Sequence, residues 1–319
     1  CGPESFTPDD RYQIGPAPEL GNLFIAAGLN SIGIQSAGGI GKVISEWMKN
    51  GYPPNDLAAV DIRRNMPFQS NSKYLYDRVK ETLGLLYDIH WPFYQYKTAR
   101  NVRKSPFYDK MEENGACFGV VAGWERPNWF ASKGHKAEYQ YSFRRQNWFD
   151  SSAEEHHAVR RCVGVLDQTS FAKFQLKGRD AEATLNRMCA NNIAVQPDRI
   201  VYTQCLNERG GIEADLTVTR LSKDSFLIVT SGSSQVRDFT WIRDRIGNDN
   251  NSVLFDVTSG MAVLGLHGPD SRKFLQSLTQ ADLSNESFPF GTSREIELGY
   301  AFVRASRINY MGELGWELY

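Results

Sequence analysis

The sequence has few cysteines, and they show no paired spacing. Five occur among 319 residues, and no two stand in a CxxC arrangement. Disulfide-stapled domains and structural zinc sites both depend on clustered cysteines, so this spacing argues against both. We therefore expect a reducing compartment. The five residues are Cys1, Cys117, Cys162, Cys189 and Cys205.

An excess of charge of either sign is also missing. The chain carries 36 Lys and Arg against 37 Asp and Glu, for a formal net charge of -1. Nucleic-acid-binding proteins usually display a basic patch or stripe, and no long run of one sign stands out here. We expect small molecules or proteins as partners, and no nucleic acid.

Long apolar runs are absent as well. No stretch approaches the roughly 20 apolar residues that a membrane-spanning helix needs, and no basic segment followed by an apolar one opens the chain. These features predict a soluble protein without a membrane span. A length of 319 residues suits two domains. Because the chain opens at Cys1 without an initiator Met and ends at Tyr319 in a strand-like run, we infer a fragment.

The stretch "GGIEADLTVTR" (210–220) alternates apolar and polar residues. A period of two predicts a half-buried strand. The alternation does not decide whether Asp215 is a solvated surface carboxylate or a placed functional group. The predicted apolar face comprises Ile212, Ala214, Leu216 and Val218, and the predicted polar face comprises Glu213, Asp215, Thr217 and Thr219.

A short apolar run, "LFIAA", precedes a glycine-containing turn and the segment "GGIGKVISEWMKNG" (38–51). Apolar residues recur at helical spacing in this segment, its first glycines crowd the predicted helix start, and Gly51 can end the helix. A helix start without side chains lets free N–H groups approach an anion closely. Close packing of the helix against a strand is the other explanation, because glycine serves both purposes. Ser36 and Val43 depart from the Walker pattern, so the segment is not a P-loop.

From residue 105 onward, alternating segments are separated by helical ones, which predicts an α+β arrangement with largely antiparallel strands. Ser152 and Glu155 have the spacing of a capping box, which predicts a helix start there. We expect the apolar face of that helix to include Val163 and Leu166. Another helix is predicted within "SKYLYDRVKETLGLLYD" (72–88). The histidine spacings match no common metal motif, and no nucleophile elbow is present.

Several ordered motifs resemble a known family. The segments "SPFYDKMEENGACFGVVAGWERPNWF", "LNERGGIEADLTVTR", "LGLHGPDSRKFL" and "YMGELGWELY" resemble the tetrahydrofolate-binding domain of the glycine-cleavage T-protein, an aminomethyltransferase. Upstream, "CGPESFTPD" and "AGGIGKVISEW" resemble the closing part of a D-amino-acid-oxidase-like FAD domain. Together they resemble the sarcosine and dimethylglycine dehydrogenase family, which includes the regulatory subunit of pyruvate dehydrogenase phosphatase.

The resemblance implies an α+β fold in three parts. Residues 1–58 would be the C-terminal part of the FAD domain, 59–104 a connector, and 105–319 a truncated folate-binding domain. For Asp215, it implies a carboxylate that contacts the folate and is needed for transfer. Tyr202 matches a folate-contacting tyrosine and Glu313 a pterin-binding glutamate. The family often has an acid just before the functional aspartate, where this chain has Ala214 on the predicted apolar face.

For the flavin, the resemblance places the glycine-rich helix start against the pyrimidine edge of the ring system. N–H groups there would stabilise the negative charge of the reduced flavin. The part of the family's site that binds the FAD pyrophosphate would precede Cys1, so this chain would hold only part of the flavin site. The candidate residues are Gly38, Gly39, Ile40, Gly41 and Lys42.

The resemblance implies an FAD-dependent enzyme that oxidises an N-methylglycine-type amine and transfers the one-carbon unit to tetrahydrofolate. An electron-transfer flavoprotein is the expected acceptor, and the mitochondrial matrix or the bacterial cytoplasm the expected location. We expect the fragment to be inactive alone. Two alternatives stay open, namely a non-catalytic regulatory subunit of pyruvate dehydrogenase phosphatase type and a stand-alone aminomethyltransferase.

Overall fold

The computed structural model describes residues 2–319, and its first unit is a strand pair followed by a helix. Strand β1 (Gln13–Pro16) pairs antiparallel with β2 (Phe24–Ala27), and helix α1 (Gly33–Asn50) follows. The prediction that Gly51 ends this helix is confirmed, because Gly51 has the left-handed φ of 80° that favours glycine. The buried residue of α1 is Trp47, which packs so closely on Gly15 that a Cβ there would lie 2.8 Å from the indole ring.

The prediction that α1 begins at its glycine cluster is wrong. The helix begins at Gly33, and the N–H of Ser36 already donates to Ile32 O at 3.0 Å. Gly38, Gly39 and Gly41 therefore lie in the helix interior, where each backbone N–H bonds to the carbonyl four residues earlier. The N–H groups left without a helical partner belong to residues 33–35. The one large apolar residue of the first turn, Ile34, is fully exposed, so apolar periodicity did not mark this turn.

The next segment contains two 3-10 helices, Ile62–Arg64 and Pro67–Ser70, and helix α2 (Ser72–Leu85). Helix α2 confirms the helix predicted within residues 72–88. The side chain of Asn71 caps it by accepting hydrogen bonds from the N–H groups of residues 73 and 74. Thr82 of α2 donates to the carbonyl of Thr7 at 3.1 Å, so this segment is tied to the first unit.

A short helix and a hairpin precede the main sheets. Helix α3 (Tyr108–Glu113) leads into β3 (Ala116–Val121), which pairs antiparallel with β4 (Trp124–Phe130). Helix α4 (Phe149–Arg161) follows and contacts β4.

The predicted helix start at Ser152 is wrong. Helix α4 begins at Phe149, and the carboxylate of Glu155 accepts a hydrogen bond from the N–H of Phe130 at 2.6 Å instead of closing a capping box. Because the chain leaves the helix at Cys162, Val163 and Leu166 are not part of its apolar face. Leu166 instead lies in the next strand.

Two five-stranded antiparallel sheets form the rest of the chain and confirm the predicted α+β class. The first has the order β10-β6-β9-β8-β7 and the second β12-β13-β14-β11-β5. Helices α5 (Ala181–Met188), α6 (Gln235–Arg243) and α7 (Ser271–Gln276) lie between strands in the chain. The strands are β5 (Gly164–Asp167), β6 (Ala172–Gly178), β7 (Ile200–Leu206), β8 (Ile212–Ser222), β9 (Ser225–Thr230), β10 (Ser252–Asp256), β11 (Leu264–His267), β12 (Ser293–Leu298), β13 (Ala301–Ser306) and β14 (Gly315–Leu318).

Each sheet has its own apolar core, and the two sheets meet near the start of β7. Residues of α5 and α6 pack on the first sheet around Phe174, and α7 packs on the second around Trp316. Arg199 bridges to Thr292, and Asp198 accepts from Arg304 at 3.0 Å. Edge strand β7 therefore borders the second sheet. In the described part of the chain, no helix combines the length and apolar character required to cross a membrane.

Candidate functional site

A β-bulge in β8 sets the orientation of its polar residues. Ala214 pairs with Cys205 of β7. The next residue of β7, Leu206, pairs with Ile212, so Glu213 is the extra residue of the bulge. The predicted faces are therefore wrong at this end of the strand. Ile212 is 66% exposed, whereas Glu213 is 6% exposed, accepting from Asn207 at 3.0 Å and Arg237 at 3.3 Å. Beyond the bulge the predicted alternation of burial holds from Ala214 to Val218. It fails at Thr219, which was predicted to be on the polar face and is buried.

Asp215 lies between two side chains of β7. Gln204 is its direct cross-strand partner, and its Nε2 lies 3.4 Å from Asp215 Oδ1. Tyr202 is the diagonal neighbour, a position from which a long aromatic side chain can reach across, and its hydroxyl donates to Asp215 Oδ2 at 3.0 Å. This bond raises the pKa of Tyr202 above its usual value of 10.0. The carboxylate is held at both oxygens while remaining exposed.

The backbone of Asp215 is anchored from the other side of the sheet. The hydroxyl of Thr230 on β9 lies 3.3 Å from the carbonyl oxygen of Asp215 and 2.6 Å from Oδ2 of Asp238. Asp238 lies on α6, and its burial raises the pKa of its carboxyl to about 6. The position of Asp215 is thus linked through one hydroxyl to a buried carboxyl on a packed helix.

Glu313 lies in the loop between β13 and β14, where it forms an ion pair with Arg160 near the end of α4. The contact uses Oε1, and Oε2 makes no hydrogen bond to any other residue of the range 2–319. Asn309 shapes the loop, since its side chain accepts from Gly312 N at 2.7 Å and donates to the carbonyl of Glu313.

The loop that carries Glu313 contributes to the electrostatics of Tyr202. Through its charge, Tyr310 of this loop adds to the raised pKa of Tyr202. Within residues 2–319, however, no hydrogen bond joins Glu313 to Tyr202 or Asp215. The structure therefore brings Tyr202 and Asp215 into contact but, among the described residues, does not join Glu313 to either of them by a hydrogen bond.

Four of the five candidate flavin residues are exposed on α1. A Cβ on Gly38, Gly39 or Gly41 would meet no atom within 4 Å. Ile40 is half-buried, and Lys42 is exposed, 4.0 Å from Glu46. Because these residues lie inside the helix, their N–H groups are not available as donors to a flavin. Any contact they make must use bare backbone and side chains.

Three residues of the site were not predicted from the sequence. Gln204 has a usable signal, since it stands two positions from Tyr202 on the same strand face. Arg160 and Tyr310 have none, because their contacts depend on tertiary packing across the chain.

Two family models match the chain. The model described as the GCVT N-terminal domain matches residues 107–319. The chain belongs to this family. A second model, the FAD dependent oxidoreductase central domain, matches residues 50–105. The resemblance to a flavoprotein with a T-protein-like domain is thereby confirmed. Residues 59–104, interpreted as a connector, fall within the second match, and the exact domain boundaries stay a prediction.

Curated relatives support the same combination. The chain is 44% identical over 317 residues to 4-methylaminobutanoate oxidase (formaldehyde-forming) of Paenarthrobacter nicotinovorans, covering 99% of this chain and 38% of the relative. It is 35% identical to mitochondrial dimethylglycine dehydrogenase of Rattus norvegicus, covering 100% of this chain and 37% of the relative. It is 34% identical to the mitochondrial pyruvate dehydrogenase phosphatase regulatory subunit of Mus musculus, covering 99% of this chain and 37% of the relative. The chain thus spans well under half the length of these relatives.

A solved structure supports the fold. The aminomethyltransferase T of the glycine cleavage system from Bartonella henselae superposes with a TM-score of 0.55 at 24% identity, covering 68% of this chain and 53% of the other. At this identity the likeness concerns the fold alone.

Proposed function

We propose that this chain is part of a flavoprotein that demethylates an N-methylated amine and passes the one-carbon unit to tetrahydrofolate bound in the 107–319 domain. The observation that carries the proposal is an exposed Asp215, oriented by Tyr202 and Gln204, within a GCVT-family domain. The match of residues 50–105 to an FAD oxidoreductase domain supports the flavin part.

The names of the relatives support the class of substrate. They specify dimethylglycine, sarcosine and 4-methylaminobutanoate, which are all N-methylated amino acids. 4-Methylaminobutanoate has a longer carbon chain between nitrogen and carboxylate than the two glycine derivatives have. The proposed substrate class is therefore an N-methylated amino acid, and the narrower choice of an N-methylglycine stays a prediction.

Asp215 fits the role of a folate contact. When bound, tetrahydrofolate supplies the nucleophilic nitrogen that takes up the one-carbon unit. An exposed carboxylate at this position accepts a charge-assisted hydrogen bond and stabilises positive charge that develops near it. Tyr202 and Gln204 hold the carboxylate in one orientation before the ligand arrives, which lowers the entropy cost of binding.

Glu313 fits a supporting role. Arg160 fixes the carboxylate through Oε1, which leaves Oε2 to accept an N–H of the pterin. Because the side chain of Arg160 is 57% exposed, it can also move away from Glu313 and leave Oε1 free to accept a hydrogen bond. A carboxylate with two open oxygens matches adjacent N–H donors in a bidentate manner.

In the structure, the proposed flavin contact uses exposed backbone and side chains in place of free N–H groups. The residues proposed for it are Gly38, Gly39, Ile40, Gly41 and Lys42. Bare glycine backbone permits close approach of a flat ring, and the surroundings of Gly38, Gly39 and Gly41 are open. When bound, FAD would accept the hydride. The remaining contacts with FAD would come from other parts of the full-length protein. The electron-transfer flavoprotein stays a prediction, as do both proposed locations, since the relatives include mitochondrial proteins and a bacterial one.

The experiment uses the full-length protein reconstituted with FAD and supplied with sarcosine, dimethylglycine or 4-methylaminobutanoate. We expect a flavin absorption band that one of these amines bleaches. We also expect released formaldehyde to fall, and methylene-tetrahydrofolate to form, when tetrahydrofolate is added.

Each negative result has a separate meaning. A protein that never acquires a flavin band contradicts the dehydrogenase and favours the regulatory-subunit alternative. A bleached flavin with formaldehyde release unaffected by tetrahydrofolate contradicts only the folate part. A stand-alone aminomethyltransferase predicts one-carbon transfer without any flavin.

A further inference from the structure

Two cysteines that lie 16 positions apart in the sequence face each other in the fold. Cys189 follows α5 and Cys205 lies near the end of β7, and the two form an isolated antiparallel bridge. Ala190 N donates to Gln204 O at 2.8 Å. This bond joins the residues flanking the bridge, so Cys189 and Cys205 are its non-hydrogen-bonded pair.

This pairing has the geometry of a disulfide site. In a non-hydrogen-bonded antiparallel pair the Cα atoms lie about 4.5 Å apart and the side chains are at their closest. Disulfides span Cα separations of about 4.4 to 6.8 Å, so the pair can close without a movement of the backbone. Both cysteines are free thiols in the structure.

The two thiols differ in environment. Cys189 is half-buried, whereas Cys205 is 1% exposed. A hydrogen bond from Cys205 lowers the pKa of the Cys189 thiol, and the same bond together with burial raises the pKa of Cys205. An accessible sulfur with increased thiolate character next to a buried thiol is the arrangement of an attacking and a resolving cysteine.

We propose that Cys189 and Cys205 are a redox-active pair that hydrogen peroxide oxidises to a disulfide and that a dithiol reduces back to two thiols. The Cys189 thiolate attacks one oxygen of the peroxide, so that an S–O bond forms and the O–O bond breaks. The released hydroxide takes up the proton lost by Cys189 and leaves as water. The Cys205 sulfur then attacks the sulfenic sulfur, the S–S bond forms, and the hydroxyl departs with the Cys205 proton as a second water. The two sulfurs lose two electrons and the peroxide gains them.

The cross-link would fasten a segment that lies against the candidate site. Asn191 N donates to Thr203 Oγ1 at 3.0 Å, and Asn191 Nδ2 donates to the carbonyl of Tyr202 at 2.7 Å. Residues 189–191 thus run along the outer edge of β7, beside the strand face that carries Tyr202 and Gln204. The disulfide ties this segment covalently to β7.

The test uses the full chain, treated with hydrogen peroxide, alkylated with iodoacetamide and digested with trypsin without reduction. Trypsin cleaves after Arg187, Arg199 and Arg209, which separates the two cysteines into peptides 188–199 and 200–209. We expect these peptides to be linked after oxidation and separate after treatment with dithiothreitol. Cys117 and Cys162 should stay reduced during the oxidation and should be recovered in alkylated form.

Variants define the roles of the two sulfurs. Cys189→Ser should abolish the linked peptides and leave Cys205 as a thiol. Cys205→Ser, or Cys205→Ala if the serine variant does not fold, should let Cys189 proceed to the sulfinic acid. Cys162→Ser, at an exposed cysteine, is the matched control and should leave the link intact. Separate peptides in the oxidised wild type, or a sulfinic acid at Cys189 beside a free Cys205, would overturn the proposal. Neither outcome depends on folate or flavin binding.

Discussion

The hydroxyl of Tyr202 donates to Oδ2 of Asp215 at 3.0 Å across the diagonal of two paired strands. Both residues are exposed, so this bond is not part of a packed core. An exposed tyrosine that orients an exposed carboxylate has little to contribute to folding stability. The pair therefore supports the proposed contact with folate. Four predictions concern Asp215, Tyr202, Gly38 and His267.

Replacing Asp215 should separate the two half-reactions. In the full-length protein, Asp215→Asn should lower one-carbon transfer to tetrahydrofolate about ten- to a hundredfold, because Asn keeps the size but not the charge. Amine oxidation with an artificial electron acceptor should remain nearly unchanged. The measurement is methylene-tetrahydrofolate formed per amine oxidised, with thermal stability checked alongside. Glu297→Gln, at an exposed carboxylate of β12, is the matched control. An unaltered ratio would make Asp215 an ordinary solvated residue.

Tyr202→Phe should have a smaller effect of the same kind. The variant removes the hydroxyl that orients Asp215 and keeps the ring, so we expect about a three- to tenfold loss of one-carbon transfer. Because Tyr202 acts through Asp215, the double variant with Asp215→Asn should be little worse than Asp215→Asn alone. Strictly multiplicative losses in the cycle would show that the two residues act independently.

Gly38→Ala tests the flavin assignment through opposite effects in two proteins. In the 1–319 chain the substitution should stabilise α1 by about 1 kcal/mol, because Ala favours a helix over Gly and the added Cβ meets no atom within 4 Å. In the full-length protein it should weaken flavin binding, since the methyl group would occupy space used by the cofactor. The measurements are thermal unfolding of the chain and flavin retention in the full-length protein. Flavin retention equal to wild type would remove Gly38 from the proposed site.

His267 should make the chain sensitive to acid. The ring is completely buried, neither nitrogen has a hydrogen-bond partner among the described residues, and burial lowers its pKa from 6.5 to about 4. As the pH falls, the unfolded chain therefore protonates this residue before the folded chain does. The contribution of the neutral ring to the free energy of unfolding is fully present above pH 6.5 and is lost as the pH falls towards 4. This difference in pKa corresponds to roughly 3 kcal/mol of the free energy of unfolding.

The measurement is urea unfolding at pH 7 and at pH 4.5. His267→Gln should flatten the loss of stability between these values relative to wild type, whatever its effect at pH 7. His157→Gln, at an exposed histidine of α4, should preserve the wild-type dependence. If His267→Gln retains the full pH dependence, other groups are responsible for it.

The features that the sequence predicted well are those encoded in local periodicity. The antiparallel α+β arrangement, the helix at Ser72–Leu85 and the termination of α1 at Gly51 all follow from residue patterns within a few turns or strands. The starts of α1 and α4 did not follow. In α4 a tertiary contact uses the residue concerned. Glu155 bonds to Phe130 of a neighbouring strand instead of capping its own helix.

The candidate site was predictable in its members but not in its contacts. Asp215 and Tyr202 meet because the turn and the bulge set the register of β7 and β8, and alternation carries no information on register. The ion pair of Glu313 with Arg160 joins residues 153 positions apart. Only the folded chain shows such a partner. The same holds for Cys189 and Cys205, whose spacing in the sequence gave no sign of their pairing.

The bulge at Glu213 has a consequence for redesigning this surface. A mutagenesis library that follows simple alternation would randomise residue 213 as an exposed position and protect residue 212 as a core position. The register of β8 reverses both choices, since Glu213 is buried in an ionic contact with Arg237 while Ile212 faces outward. Altered ligand preference should therefore be sought at Ile212 and Thr217, on either side of Asp215. Variation at Glu213 would mainly lower stability, because it would remove a buried partner of Arg237.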